Sequence, residues 1–314
     1  MNQTNFAGVD THKDTIACYY AGRFKEFKTT QKGFQEALKW APDAKWAIEG
    51  AYSFGKPFSA FLIKNGKEVY EINPLLTKTW RSVLSISNPK NDYGDAKVIS
   101  LFAEKSNLQV VSLATIKLKE KLTARKLAVK QKTEITNSLK MLFSIRGKEL
   151  PFKDLTTKKA LCWLENHDDI IIQTSTRILK ILLENIEKIE NEIKKELPEK
   201  AQKLKSLKGI SDIIAATIYS ETKGKLINAK KLANYAGIAP VEKSSGKTSR
   251  HRHNKTGNRI LNSCFYTLSI FQKRFEPEAK KYYEKKLAEG KSPRHARKCL
   301  ARQLVNIVFK ILKD

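Results

Sequence analysis

The chain has 314 residues and a formal charge of +28, from 60 Lys and Arg against 32 Asp and Glu, so two or three domains and a polyanionic partner are expected, nucleic acid ahead of an anionic membrane. The four cysteines, Cys18, Cys162, Cys264 and Cys299, form no CxxC or Cys/His pattern, which argues against a zinc site or a disulfide framework and fits a reducing, cytosolic setting. No signal peptide and no apolar run long enough to span a bilayer is read, so a membrane role is not expected.

The charge is uneven. Residues 1–110 carry 15 basic and 11 acidic residues, residues 111–200 carry 19 and 13, and residues 201–314 carry 26 and 8. The last stretch is therefore the main electrostatic contact surface, while the first keeps its acids.

Residues 1–110 alternate strand-like and helix-like pieces. Asn5–Val9, Thr15–Tyr20 and Arg23–Lys28 read as strands, with Ala21–Gly22 as a tight turn. Gly33–Trp40 reads as a helix, Lys45–Glu49 as a strand, Phe54–Ile63 as a helix, Glu68–Ile72 as a strand and Leu75–Val83 as a helix. This order predicts a mixed sheet covered by helices. Asp10 then ends the first strand and Glu49 the fourth, and side-by-side pairing of those strands puts both carboxylates at one sheet edge. A helix is expected soon after Asn88–Pro89, with Asp92 and Asp95 at i and i+3 on one face of its first turn. An acid at the end of a buried strand is costly without a cation or a metal. Hard divalent ions take oxygen ligands from several carboxylates, so these four acids form a candidate site for metal-assisted phosphoryl transfer. The plainer alternatives are a turn role for Asp10 and helix-dipole partners for Asp92 and Asp95. Asp14 is a secondary candidate, expected to face solvent at the start of the second strand.

Over 111–200, Leu113–Phe143 and Thr174–Leu197 read as long helices. In the second, Ile178, Leu179, Ile181, Leu182, Ile186, Ile189 and Ile193 recur at helical spacing. A dimerisation arm and an intramolecular helical pair fit this pattern equally. Beyond residue 201, LKSLKGISDIIAATIYSET reads as helix, Gly209 turn, helix. It is either an ordinary helical turn or a helix-hairpin-helix phosphate contact, with Ser211 where a second glycine is usual. Gly237–Asn262 reads as a basic polar loop, with Ser244 and Ser245 among Lys247, Arg250, His251, Arg252, His253, Lys255 and Arg259. Composition supports a flexible phosphate-binding loop. The sharper alternative makes one serine a nucleophile, activated from elsewhere because Glu242 is the one acid near it. From Lys273 onward helices are expected, broken at Glu289–Lys291, with Val305, Ile307, Val308 and Ile311 packing back on a core.

The stretches GVDTHKD, AIEG, NDYGDA, GIAPVEKSSGK and NKTGNRIL occur in this order over nearly the whole chain. Together they closely resemble the DEDD-type transposases of bacterial insertion sequences, serine-bearing recombinases described as bridge-RNA-guided. The resemblance implies an α/β plus all-α chain: a RuvC-like, ribonuclease-H-type domain over 1–110, a helical coiled-coil dimerisation region over 111–200, and a mainly helical transposase domain over 201–314. It implies that Asp10, Glu49, Asp92 and Asp95 are catalytic and hold Mg²⁺, or Mn²⁺. It makes Ser245 the nucleophile, with Ser244 as the fallback, and Lys247, Arg250, Arg252, Lys255 and Arg259 the nucleic-acid contacts. The implied partners are donor and target DNA, a guide RNA and further copies of the chain in a dimer or tetramer, in the cytoplasm at the nucleoid. Two positions depart from the family pattern. Gly94 stands between the paired aspartates, which predicts a helix that begins late or bends. Asn262 stands where an arginine is common, which puts one phosphate contact in doubt. Two other functions remain open: a water-using, metal-dependent junction nuclease with the same acids, and a non-catalytic basic coiled-coil protein that binds nucleic acid.

Overall fold

The computed structural model describes residues 5–72, 77, 80–81, 91–106, 108, 110–222, 228–245, 248–252 and 257–313, with the backbone alone for 241–245 and 248–252. The helix expected over 75–83 falls outside the described residues except at Thr77, Trp80 and Arg81, and the break at Asn88–Pro89 falls outside them entirely. The chain divides into two compact units, Met1–Lys119 with Thr222–Leu232, and Glu120–Glu221 with Ala233–Asp314.

In the first unit five strands form one mixed sheet: β1 Phe6–Thr11, β2 Thr15–Tyr20, β3 Arg23–Lys28, β4 Lys45–Glu49 and β5 Val69–Ile72, in the order β3-β2-β1-β4-β5. The first three are antiparallel neighbours, and β4 pairs parallel with both β1 and β5. Ala21 and Gly22 both have positive φ, 49° and 81°, which gives the β2–β3 turn the twist that suits the hairpin. Period-two alternation sorts β4 between two buried faces. Trp46 and Ile48 join Val9, Phe34, Phe58 and Leu62 under α1 (Gln31–Trp40) and α2 (Lys56–Lys64), whereas Ala47 joins Ile72, Ile99 and Phe102 under α3 (Asp92–Glu104).

The seating of α3 is set by Gly8, which shares the Ala47 side of the sheet. A Cβ there would lie 2.2 Å from the Ala96 carbonyl oxygen and 2.4 Å from the Ser100 nitrogen, so no other residue allows this approach. Ser100 Oγ donates to the Phe6 carbonyl at 2.8 Å, and the Glu104 carboxylate accepts from the Phe6 N–H at 3.0 Å. Contrary to the late start expected from Gly94, α3 begins at Asp92, because the Asn91 side chain caps it by accepting from the Gly94 N–H at 2.7 Å. Nor does β1 stop before Asp10: it runs to Thr11, with Asp10 opposite Ala17.

In the second unit, α4 (Leu113–Ile145, from Glu120 onward) lies antiparallel to α6 (Ile170–Lys195), with α5 (Lys158–Glu165) beside them. The pair is bridged at one end by Lys121–Glu196 at 2.8 Å and Arg125–Glu190 at 2.6 Å, and at the other by Arg146–Asp169 at 2.5 Å. Leu139, Phe143, Leu155, Leu164, Ile172 and Leu179 fill the space between. The two long helices are thus an intramolecular pair. The apolar repeat of α6 is not all spent on it, because Ile178 and Ile181 stay 46% and 57% exposed. The helix starts at Ile170 rather than Thr174, since the Asp169 carboxylate accepts from the N–H groups of Ile171 and Ile172.

The rest of this unit holds α7 (Glu199–Lys203), a 3₁₀ turn over Leu204–Ser206, α8 (Asp212–Thr222), the end of α9 (Ala229–Tyr235), a two-stranded ribbon of β6 (Val241–Ser245) and β7 (Thr248–Arg252), then α10 (Arg259–Phe275), α11 (Pro277–Ala288) and α12 (Pro293–Lys313). Leu261, Phe265 and Leu268 of α10 and Leu304, Val305 and Val308 of α12 are buried, but Ile307 faces out, 41% exposed. The last helices therefore begin at Arg259, not Lys273, and Ile307 is not part of the core. Gly290, with φ +79°, supplies the expected break. Among the described residues no helix is long and apolar enough to cross a membrane.

Gly8→Ala should cost about 1–3 kcal/mol, the usual range for forcing atoms into a packed contact. Urea denaturation of the variant would measure it, and an unchanged midpoint would mean that α3 does not depend on that approach.

Candidate metal centre and basic ribbon

Alternate residues of a strand share a face, so Asp10 and the following His12 both turn toward α3, where Gly8 already points. On α3 the first turn is fixed by the Asn91 cap and by Tyr93, whose ring meets Tyr19 of β2 and Phe24 of β3 edge-on with centroids 5.8 and 5.5 Å apart. Asp92 is thereby delivered to β1. His12 Nε2 lies 3.2 Å from Asp92 Oδ1 and 3.5 Å from Asp10 Oδ2, and donor atoms of the three residues all lie within 4.8 Å of one another. The Asp10 side chain is 15% exposed, those of His12 and Asp92 45% and 46%, so the cluster is rooted in the sheet and open on one side. Two carboxylates and an imidazole, drawn from two elements far apart in sequence, are a donor set that suits a divalent cation.

Glu49 stands at the same sheet edge: the parallel register Val9↔Ile48, carried one residue on, sets it beside Asp10. Its carboxylate accepts from Thr77 Oγ1 at 2.9 Å, and its backbone carbonyl accepts from Thr11 Oγ1 at 3.1 Å. Asp95, one turn along α3 from Asp92, forms an ion pair with Arg81. Of the four acids singled out from the sequence, Asp10 and Asp92 are therefore brought together with His12, while Glu49 and Asp95 are each engaged by a neighbour. His12 was not a sequence candidate. Its signal was the i, i+2 spacing from Asp10, which puts the two on one face of an extended chain.

The segment read as a loop, Gly237–Asn262, instead contains the β6–β7 ribbon, with Ser244 opposite Ser249, Ser245 opposite Thr248 and Lys243 opposite Arg250. Its Ser, Lys and Thr residues carry no apolar alternation, so backbone pairing alone makes these strands and composition could not announce them. The side chains of Ser244, Ser245, Arg250 and Arg252, and the whole of Lys247 and Lys255, lie outside the described residues. Arg259 is exposed at the start of α10.

The base of the ribbon is tightly made. Asn258 caps α10, accepting from the N–H groups of Ile260 and Leu261, and donates to Glu221 at 2.6 Å and to the Tyr235 hydroxyl at 2.9 Å. Gly257 packs on Gly237, where a Cβ would meet backbone at 2.3 Å. Asn262 Nδ2 donates to the carbonyls of Ala236 and Gly237 at 2.9 and 3.2 Å, so this position ties the turn before the ribbon to α10. Burial, with the Glu221 charge adding to it, pushes the Cys264 thiol on α10 up to about 11, which keeps it protonated and unreactive at neutral pH. In the Gly209 turn, φ is +91°, and Ser211 caps α8 by accepting from the Ile214 N–H at 3.3 Å. The lysines flanking that turn are engaged, Lys205 with Asp212 at 2.6 Å and Lys208 with Glu276 at 2.8 Å.

Comparison with known proteins gives two family matches. Residues 7–145 match the DEDD_Tnp_IS110 family, described as transposase, and residues 201–284 match the family described as Transposase IS116/IS110/IS902. The chain is 32% identical over 119 residues to the uncharacterized 42 kDa protein of insertion element IS900 of Mycobacterium paratuberculosis, covering 36% of this chain and 30% of that protein. It is 36% identical over 87 residues to the uncharacterized 43.6 kDa protein of insertion element IS110 of Streptomyces coelicolor, covering 27% and 22%. It is 29% identical over 120 residues to the uncharacterized 44.8 kDa protein of insertion element IS116 of Streptomyces clavuligerus, covering 37% and 30%. The chain thus spans less than a third of the length of these curated relatives.

Asn258→Ala should lower stability by about 1–2 kcal/mol through loss of the cap alone. Hydrogen exchange of the first amides of α10 should speed up in that variant. Unchanged exchange together with weaker DNA binding would instead make Asn258 a surface contact.

Proposed function

We propose that the chain is a transposase of the IS110/IS116 kind, which the family matches over residues 7–145 and 201–284 support, and that it cuts and rejoins DNA through a phosphoserine on Ser245, directed to donor and target sites by a guide RNA. The observation that carries the proposal is the convergence of Asp10 and Asp92, with His12, at one edge of a mixed sheet of order β3-β2-β1-β4-β5. That order, three antiparallel strands continued by parallel ones, supports a RuvC-like, ribonuclease-H-type domain over 1–110. The isoleucines that α6 leaves exposed support a dimerisation region over 111–200, and the basic last stretch supports a transposase domain over 201–314.

In this scheme Asp10, Glu49, Asp92 and Asp95 hold divalent metal, Mg²⁺ or Mn²⁺, which when bound polarises the scissile phosphate and stabilises the charge that builds on its oxygens. Arg81 balances the charge of Asp95, a contact that loosens as the four-acid set forms, whereas the Thr77–Glu49 hydrogen bond is compatible with metal ligation because a carboxylate has acceptor sites for both. Ser245 Oγ attacks phosphorus, the bond to the leaving sugar oxygen breaks, and the serine proton ends on that oxygen. The strand is then held as a phosphodiester to the protein, and attack by the hydroxyl of another strand reverses the step and restores the serine. Ser244 is the alternative nucleophile. Lys247, Arg250, Arg252, Lys255 and Arg259 hold the sugar–phosphate backbone, a contact that positions DNA without reading its sequence. Sequence choice then falls to base pairing with the guide, a division of labour known in other RNA-guided systems. The exposed Ile170, Ile171, Ile178 and Ile181 of α6 supply apolar surface for a dimer or tetramer.

Two variants test this on the full-length chain with the element's end joined to flanking DNA. Ser245→Ala should abolish covalent protein–DNA adducts while leaving metal binding intact. Undiminished strand cleavage by Ser245→Ala would move the assignment to a water-using nuclease. Asp10→Asn should slow cleavage by about a hundredfold or more, as for loss of a principal charge-stabilising group, with nucleic-acid affinity unchanged. Loss of recombination with unchanged nucleic-acid binding would exclude a merely binding protein, whereas full recombination by Asp10→Asn would remove Asp10 from the catalytic set. Sequencing the RNA that copurifies with the chain tests the guide.

A further inference from the structure

We propose that His12 is a nitrogen ligand of the centre built by Asp10 and Asp92, and that the centre therefore takes Mn²⁺ in preference to Mg²⁺. The inference rests on Asp10 and Asp92 being metal-binding acids, and it replaces an all-carboxylate set by a mixed one. Three observations lead to it. The first is distance. Ligands about 2.0–2.2 Å from a six-coordinate ion and at right angles to each other lie about 3 Å apart. The separations of His12 Nε2 from Asp92 Oδ1 and Asp10 Oδ2, 3.2 and 3.5 Å, are close to neighbouring corners of such an octahedron.

The second is supply of donors. Among the described residues, His12 is the one His, Cys, Asp or Glu whose donor atom clusters with those of both Asp10 and Asp92, whereas Asp95 is paired with Arg81 and Glu49 accepts from Thr77. The third is support. The backbone N–H of His12 donates to the Thr15 carbonyl at 2.9 Å, which closes the β1–β2 turn and fixes the main chain that carries the imidazole. An imidazole ligand changes which ion is preferred. Mg²⁺ demands oxygen donors and gives up water reluctantly, whereas Mn²⁺ takes the same carboxylates and also accepts nitrogen.

The test uses Mn²⁺ as the probe on the full-length chain. Pulsed electron paramagnetic resonance of the bound ion should show hyperfine coupling to one imidazole nitrogen. The coupling should vanish in His12→Gln while Mn²⁺ still binds. The preference for Mn²⁺ over Mg²⁺, measured by competition, should fall by about tenfold, the lower end of losses seen when a metal site's supporting groups are removed. Labelling with heavy-nitrogen histidine should alter the coupling in the unmutated chain, so the readout does not depend on the variant folding. Mn²⁺ bound without nitrogen coupling, or a coupling that survives His12→Gln, overturns the assignment of His12 and leaves the carboxylate centre standing. Failure of the unmutated chain to bind Mn²⁺, or binding that Asp10→Asn does not weaken, takes down the metal reading itself and this inference with it.

Discussion

The first unit depends on one missing side chain. Because Gly8 has no Cβ, the backbone of α3 can rest on β1 through Ala96 and Ser100, closer than any side chain would allow. Everything chemical in this unit is downstream of that contact. The Ser100 and Glu104 hydrogen bonds fix how far along β1 the helix sits, and the Asn91 cap fixes where it starts. Only then does Asp92 reach Asp10 and His12.

The electrostatics of the site run against the rest of the chain. A molecule with formal charge +28 still gathers acids at one edge of one sheet. Carboxylates held that close repel one another; the Arg81 guanidinium offsets the charge of Asp95, and the His12 imidazole lies between Asp10 and Asp92. Arg81 thereby keeps the edge from being a purely repulsive cluster.

In the second unit rigid packing surrounds a polar ribbon. Asn258, Asn262 and the Gly257–Gly237 contact weld α10 to the turn before β6. The ribbon itself is mostly Ser, Thr, Lys, Arg, Glu and His, with Val241 its one apolar residue, so it offers no hydrophobic face. A segment of that composition stays in register because its base is fixed. Asn262, read from sequence as a departure at a phosphate contact, acts inside the fold. It satisfies two backbone carbonyls, those of Ala236 and Gly237.

Local pattern was enough for much of the architecture. The order of strands and helices in the first unit, the pairing of the Asp10 and Glu49 strands, the two long helices and the basic excess of the last third all follow from period, turn residues and composition. These are properties of short windows, and the sequence states them directly. What needed the tertiary structure were matters of which distant groups meet. His12 joins the acids because β1 extends past Asp10; Asp95 faces Arg81; and the long helices pair within one chain because ion pairs and Leu139, Phe143 and Leu179 close the gap between them. The ribbon exists because backbone hydrogen bonds need no side-chain signal. A one-dimensional pattern fixes which face a residue takes on its own element, but only the packing of elements decides what that face meets.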